Sequence, residues 1–445
     1  MKDSESRLYA GGALSLLELR GIGPAKELGI EPADRINLIT GDNGLGKTFI
    51  LECAWWALTG SWAAAPVYPR ADASKSEPTI TFRISGATDR SRPGRAHYDW
   101  KRQDWVSTVG YLAIPGLVIY ARVDGAFAVW DSVRHHLSAL RGEGLAPFIL
   151  SREDIWEGLR KKVGAKTVQL CNGLIYDWTL WQGSPSSYPF ETLKKVLRRL
   201  SPPDLDQGDL GPLEPGKPTR IPGGETRLIP TIRHAYGEEP LVYASAAVRR
   251  IVALAYLIVW TWEEHKAQAE LNREEPQRRL VILLDEIEAH LHPQWQRTIL
   301  PALLAIQEDL EADIQVQFLI STHSPLVLAS VEPYFDETRD RLFRFDLDDK
   351  REVTLAQEPW SKQGDTVGWL TSDVFGLQQA RSREAEAAIK AAEALMRGDA
   401  MDQYPEHLGT KEQIHQELLR LLPGHDPFWP RWLVDMDLLP KRKGA

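Results

Sequence analysis

An eight-residue segment, Gly41–Thr48 (GDNGLGKT), constrains the fold of this chain more than any other stretch. An apolar run typical of a strand precedes it, and an apolar run typical of a helix follows it. Glycines let such a loop curl so that its backbone N–H groups converge on phosphate oxygens at the start of the helix. A chance glycine-rich loop is the alternative, although the flanking strand and helix match the motif. The residues predicted to bind ATP are Gly41, Asn43, Gly44, Gly46, Lys47 and Thr48, with Lys47 on the β- and γ-phosphates and the Thr48 hydroxyl on Mg²⁺.

A second segment, Arg279–Glu286, is an apolar strand that ends in the two carboxylates Asp285 and Glu286. Burying such a pair is costly unless a cation meets it. We therefore expect Asp285 to hold Mg²⁺ and Glu286 to polarise the attacking water. The alternative is that the pair only caps the next helix. Together with the glycine-rich loop, this strand predicts a nucleotide hydrolase.

Two further segments carry a family resemblance: DEIEAHLHP at 285–293, and STHSP at 321–325, which follows an apolar strand. They resemble ABC-type ATPases, in the branch that holds SMC heads, RecF, the OLD proteins and ATPases of bacterial anti-phage systems such as Septu and PARIS. The resemblance implies that His323 contacts the γ-phosphate and acts with Glu286 in catalysis. It also places Leu291 and His292 in a loop that crosses to a second protomer. Alternatives are a metal-binding pair, His290 with His292, and a capping or core role for His323.

The segment Ala244–Arg250 departs from that family, because alanines stand where it has two glycines after a serine. The resemblance implies that Ser245 binds the ATP held by the other subunit, with a less close backbone approach. A plain helix N-cap is the alternative for Ser245. Arg249 and Arg250 are candidates for phosphate, DNA or a surface salt bridge. Two glutamines, Gln103 and Gln182, are candidates for the family's Q-loop.

The order of elements predicts an α/β fold: an ABC-ATPase head with a mixed sheet, a flanking antiparallel β layer, an inserted subdomain and a helical C-terminal region. The inserted stretch is predicted to be helical over 151–200, and the prolines that follow predict a surface loop. The acidic segment 346–349 is predicted to be a turn between two strands rather than part of a nuclease site. The predicted domains are 1–135 (N-terminal lobe with the phosphate loop), 136–238 (insertion), 239–360 (C-terminal lobe) and 361–445 (helical region).

Composition narrows the setting and the partners. The chain has 53 basic and 62 acidic residues, a net charge of −9, which disfavours general coating of nucleic acid. Two cysteines favour a reducing compartment, and the N-terminus lacks a secretion signal, so we expect a cytoplasmic protein without a membrane partner. Basic runs at 160–162 with Lys166, and at 194–199, are predicted on helices, as solvated faces or DNA contacts. Trp55 and Trp56 are predicted in the core, and Trp178 and Trp181 are candidates for a partner surface.

The function implied by the resemblance is an ATP-binding and ATP-hydrolysing switch. It would form a homodimer, or a higher assembly, around two ATP molecules with Mg²⁺. It would control a co-encoded effector protein, such as a nuclease, in anti-phage defence. Two alternatives stay open: a RecF- or SMC-like DNA-repair clamp, and an ATP-locked scaffold with little turnover. DNA is therefore left open as a partner.

Overall fold

The computed structural model describes residues 11–72, 77–85, 93–108, 114–136, 146–163, 166–185, 188–201, 211–223, 226–234, 237–311 and 313–435. The helices are α1 (Lys47–Thr59), α2 (Arg152–Glu157), α3 (Leu174–Gly183), α4 (Tyr188–Leu200), α5 (Ala246–Asn272), α6 (Pro293–Leu304), α7 (Gln307–Leu310), α8 (Pro325–Val331), α9 (Thr366–Thr371), α10 (Arg383–Arg397), α11 (Lys411–Leu421) and α12 (Trp429–Asp435).

The strands are β1 (Ala13–Arg20), β2 (Glu27–Ile30), β3 (Ile36–Gly41), β4 (Thr79–Ser85), β5 (Gly94–Asp99), β6 (Asp104–Thr108), β7 (Leu117–Ala121), β8 (Phe127–Trp130), β9 (Phe148–Leu150), β10 (Leu159–Val163), β11 (Lys166–Cys171), β12 (Glu214–Pro215), β13 (Thr231–His234), β14 (Gly237–Pro240), β15 (Arg279–Leu284), β16 (Gln315–Ser321), β17 (Asp340–Leu347) and β18 (Val353–Glu358).

The main sheet has eight strands in the order β18-β17-β3-β16-β15-β7-β8-β9. Its central strands, β17, β3, β16, β15 and β7, are parallel, and antiparallel strands complete both edges. Strands β3, β15 and β16 are buried along almost their whole length, as expected where helices cover both faces of a parallel sheet. Parallel pairing brings the carboxyl ends of these strands to one edge, where ligands bind in sheets of this kind.

A second sheet of five antiparallel strands, in the order β2-β1-β4-β5-β6, lies over α1. The shared core contains Trp55 and Trp56 of α1, with the Trp56 ring edge-on to Phe82 of β4. The predicted fold class, a mixed sheet with a flanking antiparallel layer, is confirmed. The prediction that both tryptophans are core residues is also confirmed.

One of the two basic segments of the insertion does not have the helical structure predicted for it. Residues 160–162 and Lys166 lie on the antiparallel hairpin β10–β11 rather than on a helix. Long cationic side chains suit either structure, whereas Val163, Thr167 and Val168 are β-branched and favour a strand. Residues 194–199 are helical as predicted, within α4.

Trp178 is fully buried, with its ring edge-on to Phe190, so the proposal that it forms a partner surface is wrong. Trp181 is partly buried and packs against the ring of Tyr256. Of the proline-rich stretch, 202–210 lies outside the described residues. Farther on, Glu214–Pro215 and Thr231–His234 pair in a three-stranded sheet with β14 rather than forming only a loop.

The chain divides into two compact units, residues 1–365 and 366–445. In the first, β17 and β18 form the hairpin predicted around 346–349, and Asp348 accepts backbone hydrogen bonds within its turn. In the second, α10, α11 and α12 share a core that includes Ile389, Ile414 and Trp432. The four-domain division drawn from the sequence stays a prediction.

Among the described residues, no helix combines the length and the apolar character that crossing a membrane requires.

Candidate nucleotide site

The glycine-rich loop connects β3 to α1 at the carboxyl edge of the main sheet. Gly41 has φ 134° and Gly46 has φ 117°, conformations that residues with a Cβ rarely adopt. A Cβ on Gly41 would lie 2.5 Å from the Phe345 carbonyl oxygen, and one on Gly46 would lie 2.8 Å from Cγ of Pro24. The loop therefore depends on glycine both for its turn and for the close approach of β17.

Lys47, the first residue of α1, folds back over this loop. Its ammonium group donates hydrogen bonds of 2.8 Å to the carbonyl oxygens of Gly41 and Asp42. The residue is only 5% exposed, and burial lowers the pKa of the ammonium group, whereas the charges of Glu286 and Asp285 oppose that shift. The loop thus holds a buried positive charge beside two carboxylates.

Asp285 connects the phosphate loop to the acidic strand end. Its carboxylate accepts a hydrogen bond from the Thr48 hydroxyl (2.8 Å), although the two residues are 237 positions apart. The other carboxylate oxygen accepts from the Ser321 hydroxyl (2.7 Å), which in turn accepts from the Glu286 amide (2.8 Å). Asp285 is fully buried. The structure therefore brings Thr48, Asp285 and Glu286 together, and Ser321 of the STHSP segment joins them.

Glu286 has φ 48°, which is uncommon for a residue with a side chain and concentrates at functional sites. This turn leaves its carboxylate partly exposed, with one oxygen 3.8 Å from Nε2 of His323. Burial lowers the pKa of His323, and the charge of Lys47 lowers it further, against the opposing charges of Glu288 and Glu286. The predicted catalytic pair, Glu286 and His323, thus lies at one edge with a neutral imidazole favoured near pH 7.

Glu288 orients the segment that carries His323, a role that sequence reasoning missed. One of its oxygens accepts a hydrogen bond from the His323 amide (2.5 Å), and the other accepts from the Thr322 hydroxyl (2.8 Å). The two predicted motifs at 285–293 and 321–325 are therefore joined directly. Their joint presence in the sequence was the only signal for this contact.

Ser245 lies at the start of α5, where its exposed hydroxyl accepts a hydrogen bond from the Val248 amide (3.3 Å). This geometry is that of an N-cap, the alternative considered for it. Arg250, one turn farther on, donates to the carbonyl oxygens of Asp285 (2.9 Å) and Glu286 (3.1 Å). Burial lowers the pKa of Arg250. Arg250 therefore braces the backbone of the acidic pair, a contact different from the phosphate, DNA and salt-bridge roles considered for it.

Neither glutamine proposed for the Q-loop lies at this edge. Gln103 is exposed between β5 and β6, and Gln182 bonds to Trp178 and to the Gly216 carbonyl oxygen. Strand β15 lies between β16 and β7, and the last carbonyl of β7, that of Ala121, accepts a hydrogen bond from the Asp285 amide (2.9 Å). The residue that follows β7 at this edge of the sheet is Arg122, not a glutamine.

A buried carboxylate, Glu52, lies near this position, with an oxygen 3.5 Å from Nε of Arg122. Burial raises the pKa of Glu52, although the charge of Arg122 opposes the shift. Glu52 lies one turn after Thr48 on α1, so both face the sheet. The sequence showed Glu52 only as one more residue of an apolar helix.

The histidines of the DEIEAHLHP segment are placed separately. His292 is the N-cap of α6, where its ring nitrogen Nδ1 accepts from the Gln294 amide (3.4 Å). His290 is exposed and has φ 66°. In the part of the chain that the structure describes, no three or more His, Cys, Asp or Glu side chains cluster closely enough to hold a metal by themselves.

Comparison with known proteins finds two domain matches and several similar ATPases. Residues 16–102 match the model of an AAA domain, and residues 252–329 match the model described as AAA domain, putative AbiEii toxin, Type IV TA system. The chain is 22% identical to Septu protein PtuA of Bacillus thuringiensis over 372 residues, which cover 82% of this chain and 85% of that protein. The chain is an ATP hydrolase with two AAA-domain matches, and it is similar to ATPases of the SMC/RecF/OLD branch. The resemblance drawn from 285–293 and 321–325 is thereby confirmed, as is the prediction of an ATP-binding ATP hydrolase.

Other relatives of this ATPase match over different lengths. The retron Vc95 probable ATPase of Vibrio cholerae is 47% identical over 51 residues, but the match covers 12% of this chain and only 9% of that protein. The DNA replication and repair protein RecF of Deinococcus radiodurans is 24% identical over 66% of this chain and 88% of its own length. The solved SMC head domain from Thermotoga maritima aligns over 78% of this chain and all of that one, with a TM-score of 0.39 and 14% identity.

Proposed function

We propose that this ATPase is a switch in bacterial anti-phage defence, in which two copies close around two ATP molecules and thereby control an effector protein. Each ATP would lie between Gly41–Thr48 of one copy and Ser245 of the other. The observation that carries the proposal is the hydrogen-bonded chain from Thr48 through Asp285 and Ser321 to Glu286. It joins the phosphate loop to the acidic pair, as ATP hydrolysis requires.

The phosphate loop would bind the triphosphate. Its backbone N–H groups would meet phosphate oxygens at the start of α1, and Lys47 would exchange its bonds to Gly41 and Asp42 for bonds to phosphate. The exchange is favourable because a buried ammonium gains a fully charged partner. Asn43 and Gly44, at the apex of the loop, would contribute further N–H groups.

Thr48 and Asp285 are the residues that would hold Mg²⁺. Their hydroxyl and carboxylate oxygens lie 2.8 Å apart beside the loop, and oxygen is the ligand that Mg²⁺ prefers. One hydroxyl and one carboxylate leave several positions for water and phosphate oxygens, which suits this ion better than a cage made only of protein. When bound, Mg²⁺ would neutralise charge on the phosphate oxygens.

Glu286 would act as the base. Its partly exposed carboxylate would orient a water molecule for attack on the γ-phosphorus and accept its proton, while ADP leaves with the bridging oxygen. Neutral His323, 3.8 Å from Glu286, would donate a hydrogen bond to the γ-phosphate. Loss of that phosphate would remove the contact that holds the two copies together.

The role in defence rests on the relatives. Similarity to a Septu protein extends over most of the chain, and a short segment is also similar to a retron ATPase. We infer that the ATP-bound and open forms differ in affinity for a co-encoded effector, of which a nuclease is the expected kind. This coupling requires the effector to bind one form better than the other.

The Glu286→Gln variant tests the switch. It should keep ATP and lose hydrolysis by about 10²- to 10⁴-fold, because glutamine cannot accept the proton. Light scattering with ATP and Mg²⁺ should then show a stable dimer that retains or releases the neighbouring gene's product differently from the ATP-free protein. Glu274→Gln, at an exposed position outside the site, is the matched control. Hydrolysis at the wild-type rate would show that Glu286 is not the base. A variant that binds ATP but stays monomeric would contradict the proposed closure of two copies around ATP.

A second candidate function is a DNA-repair clamp, favoured by the similarity to RecF over 88% of that protein. The two functions differ in what stimulates hydrolysis. Strong stimulation of the ATPase by gapped or duplex DNA would favour the clamp. Absence of stimulation, together with stable copurification of the co-encoded protein, would favour the effector switch.

A further inference from the structure

The hairpin β10–β11 concentrates positive charge. Leu159–Cys171 contains Arg160, Lys161, Lys162 and Lys166 and no acidic residue. The three lysines are exposed, and none of their side chains has a hydrogen bond or ion pair with another described residue. Their charges are therefore available to a ligand.

The other basic run of the insertion behaves differently. On α4, Lys194 pairs with Glu191, Arg198 with Glu214, and Arg199 with Asp309. Those charges are largely neutralised within the protein. The whole chain carries a net charge of −9, so the positive charge of this hairpin is opposite in sign to that of the chain as a whole. Because its lysines have no acidic partner among the described residues, the hairpin suits an anionic ligand.

A groove with a volume of about 450 Å³ lies at the base of the hairpin. Arg160 and Gln169, which face each other across the two strands and share a 2.7 Å hydrogen bond, form one side of it. Trp156 and Tyr176 also line the groove, and Tyr176 is 58% exposed. A large aromatic side chain is thus presented to solvent beside Arg160, at the base of the hairpin that carries the three lysines.

The base of the hairpin is anchored in the ATPase core. Cys171, the last residue of β11, lies 3.6 Å from the hydroxyl of Tyr256 on α5. That hydroxyl donates a 2.8 Å hydrogen bond to Asp177 of α3, the helix that also carries Tyr176. Hairpin and aromatic groove therefore keep a fixed position relative to one another.

We propose that the hairpin and this groove bind single-stranded nucleic acid, with phosphates on Lys161, Lys162 and Lys166 and a base stacked on Tyr176. Cationic tracks beside exposed aromatic rings bind single strands in this way, since every base offers a stacking face. In a duplex the bases stack on one another, so no base is available to stack on the ring of Tyr176. An acidic peptide would use the cations but would leave the aromatic ring without a partner. The proposal is independent of which effector the ATPase controls.

The first test is fluorescence anisotropy of the full chain with a labelled oligothymidine. The variant Lys161→Glu/Lys162→Glu/Lys166→Glu should bind about 10- to 100-fold more weakly than wild type. The slope of log affinity against log salt concentration should also become shallower by about 2, because each lost phosphate contact on a single strand reduces this slope by about 0.7. The matched control is Lys217→Glu/Lys350→Glu/Lys362→Glu, which makes the same charge change at exposed positions elsewhere and should bind within about threefold of wild type. Equal binding by the two triple variants would overturn the proposal.

The second test separates stacking from charge. Tyr176→Ala should weaken binding of the oligothymidine about 5- to 100-fold without changing its salt dependence. Tyr176→Trp should bind about as tightly as wild type, because tryptophan also offers a ring for stacking. ATP hydrolysis without nucleic acid should be unchanged in every variant, because none of these residues lies at the nucleotide site. A duplex of equal length that binds as tightly as the single strand, or polyglutamate that competes as well as the oligonucleotide, would overturn the assignment to single-stranded nucleic acid.

Discussion

The carboxyl edge of the main sheet and the start of α5 carry the two halves of the proposed ATP site, and their polar groups are satisfied differently. At the sheet edge, the Asp285 carboxylate is buried and accepts from two hydroxyls of distant segments. At the start of α5, the Ser245 hydroxyl is exposed and bonds only within its own helix. One half is organised by the fold of a single chain, whereas the other presents an exposed hydroxyl that, in the proposed dimer, would face the ATP of the second copy.

The two regions are nevertheless connected. Arg250, on the first turns of α5, donates to the carbonyl oxygens of Asp285 and Glu286. A guanidinium with several fixed donors suits this task, because it can hold successive carbonyls at once. A displacement of α5 on closure would therefore reach the backbone of the acidic pair without passing through the nucleotide.

The comparison predicts its largest effect at Asp285. Asp285→Asn places an amide where two hydroxyls now donate to a carboxylate, so one hydroxyl loses its acceptor. We expect ATP hydrolysis to fall about 10²- to 10³-fold and the free energy of unfolding to fall by about 1.5–3 kcal/mol. Steady-state kinetics and urea unfolding measure both. Asp349→Asn, in the exposed turn after β17, should change neither. A fully active Asp285→Asn protein would break the proposed link between the phosphate loop and the acidic strand end.

A smaller effect on the isolated chain is expected at Ser245. Ser245→Arg should leave ATP affinity and folding stability close to wild type, because the side chain is exposed and bonds only its own helix. It should abolish ATP-dependent dimerisation in the Glu286→Gln background, where the dimer would otherwise persist. Ser361→Arg, at an exposed serine elsewhere, is the control. Dimerisation that survives Ser245→Arg would remove Ser245 from the site, while weakened ATP binding by the monomer would place it in the same chain's pocket.

The smallest expected effect concerns pH. The pKa of His323 is lowered in the folded chain, so folding favours the neutral ring. Its contribution to stability is then fully present above the ordinary histidine pKa of about 6.5 and is lost as the pH falls from there through the lower folded pKa. Unfolding free energies of wild type and His323→Gln, measured from pH 7.5 to 5, should therefore diverge in slope, with wild type falling more steeply. Parallel curves would contradict a shielded imidazole at this position.

The sequence predicts a residue's role well where that role depends only on neighbouring residues in the chain. The glycine-rich loop and the strand that ends in Asp285 and Glu286 are recognisable because each motif needs only its own flanking strand or helix. Trp55 and Trp56 were placed correctly because an apolar helix beside the phosphate loop has to be buried. The hairpin β10–β11 was mistaken for a helix because cationic side chains are compatible with both structures, and cross-strand pairing decided between them.

The sequence by itself determined which residues could meet a nucleotide, since phosphate binding and proton transfer need particular chemical groups in particular short patterns. The tertiary structure alone decided which groups hold them in place: Ser321 and Thr48 on Asp285, Glu288 under His323, and Arg250 on the acidic pair. These contacts join residues that the order of strands in the main sheet, rather than the order of the chain, makes neighbours. A hydrogen bond acts over about 3 Å, so only the packed sheet could specify them.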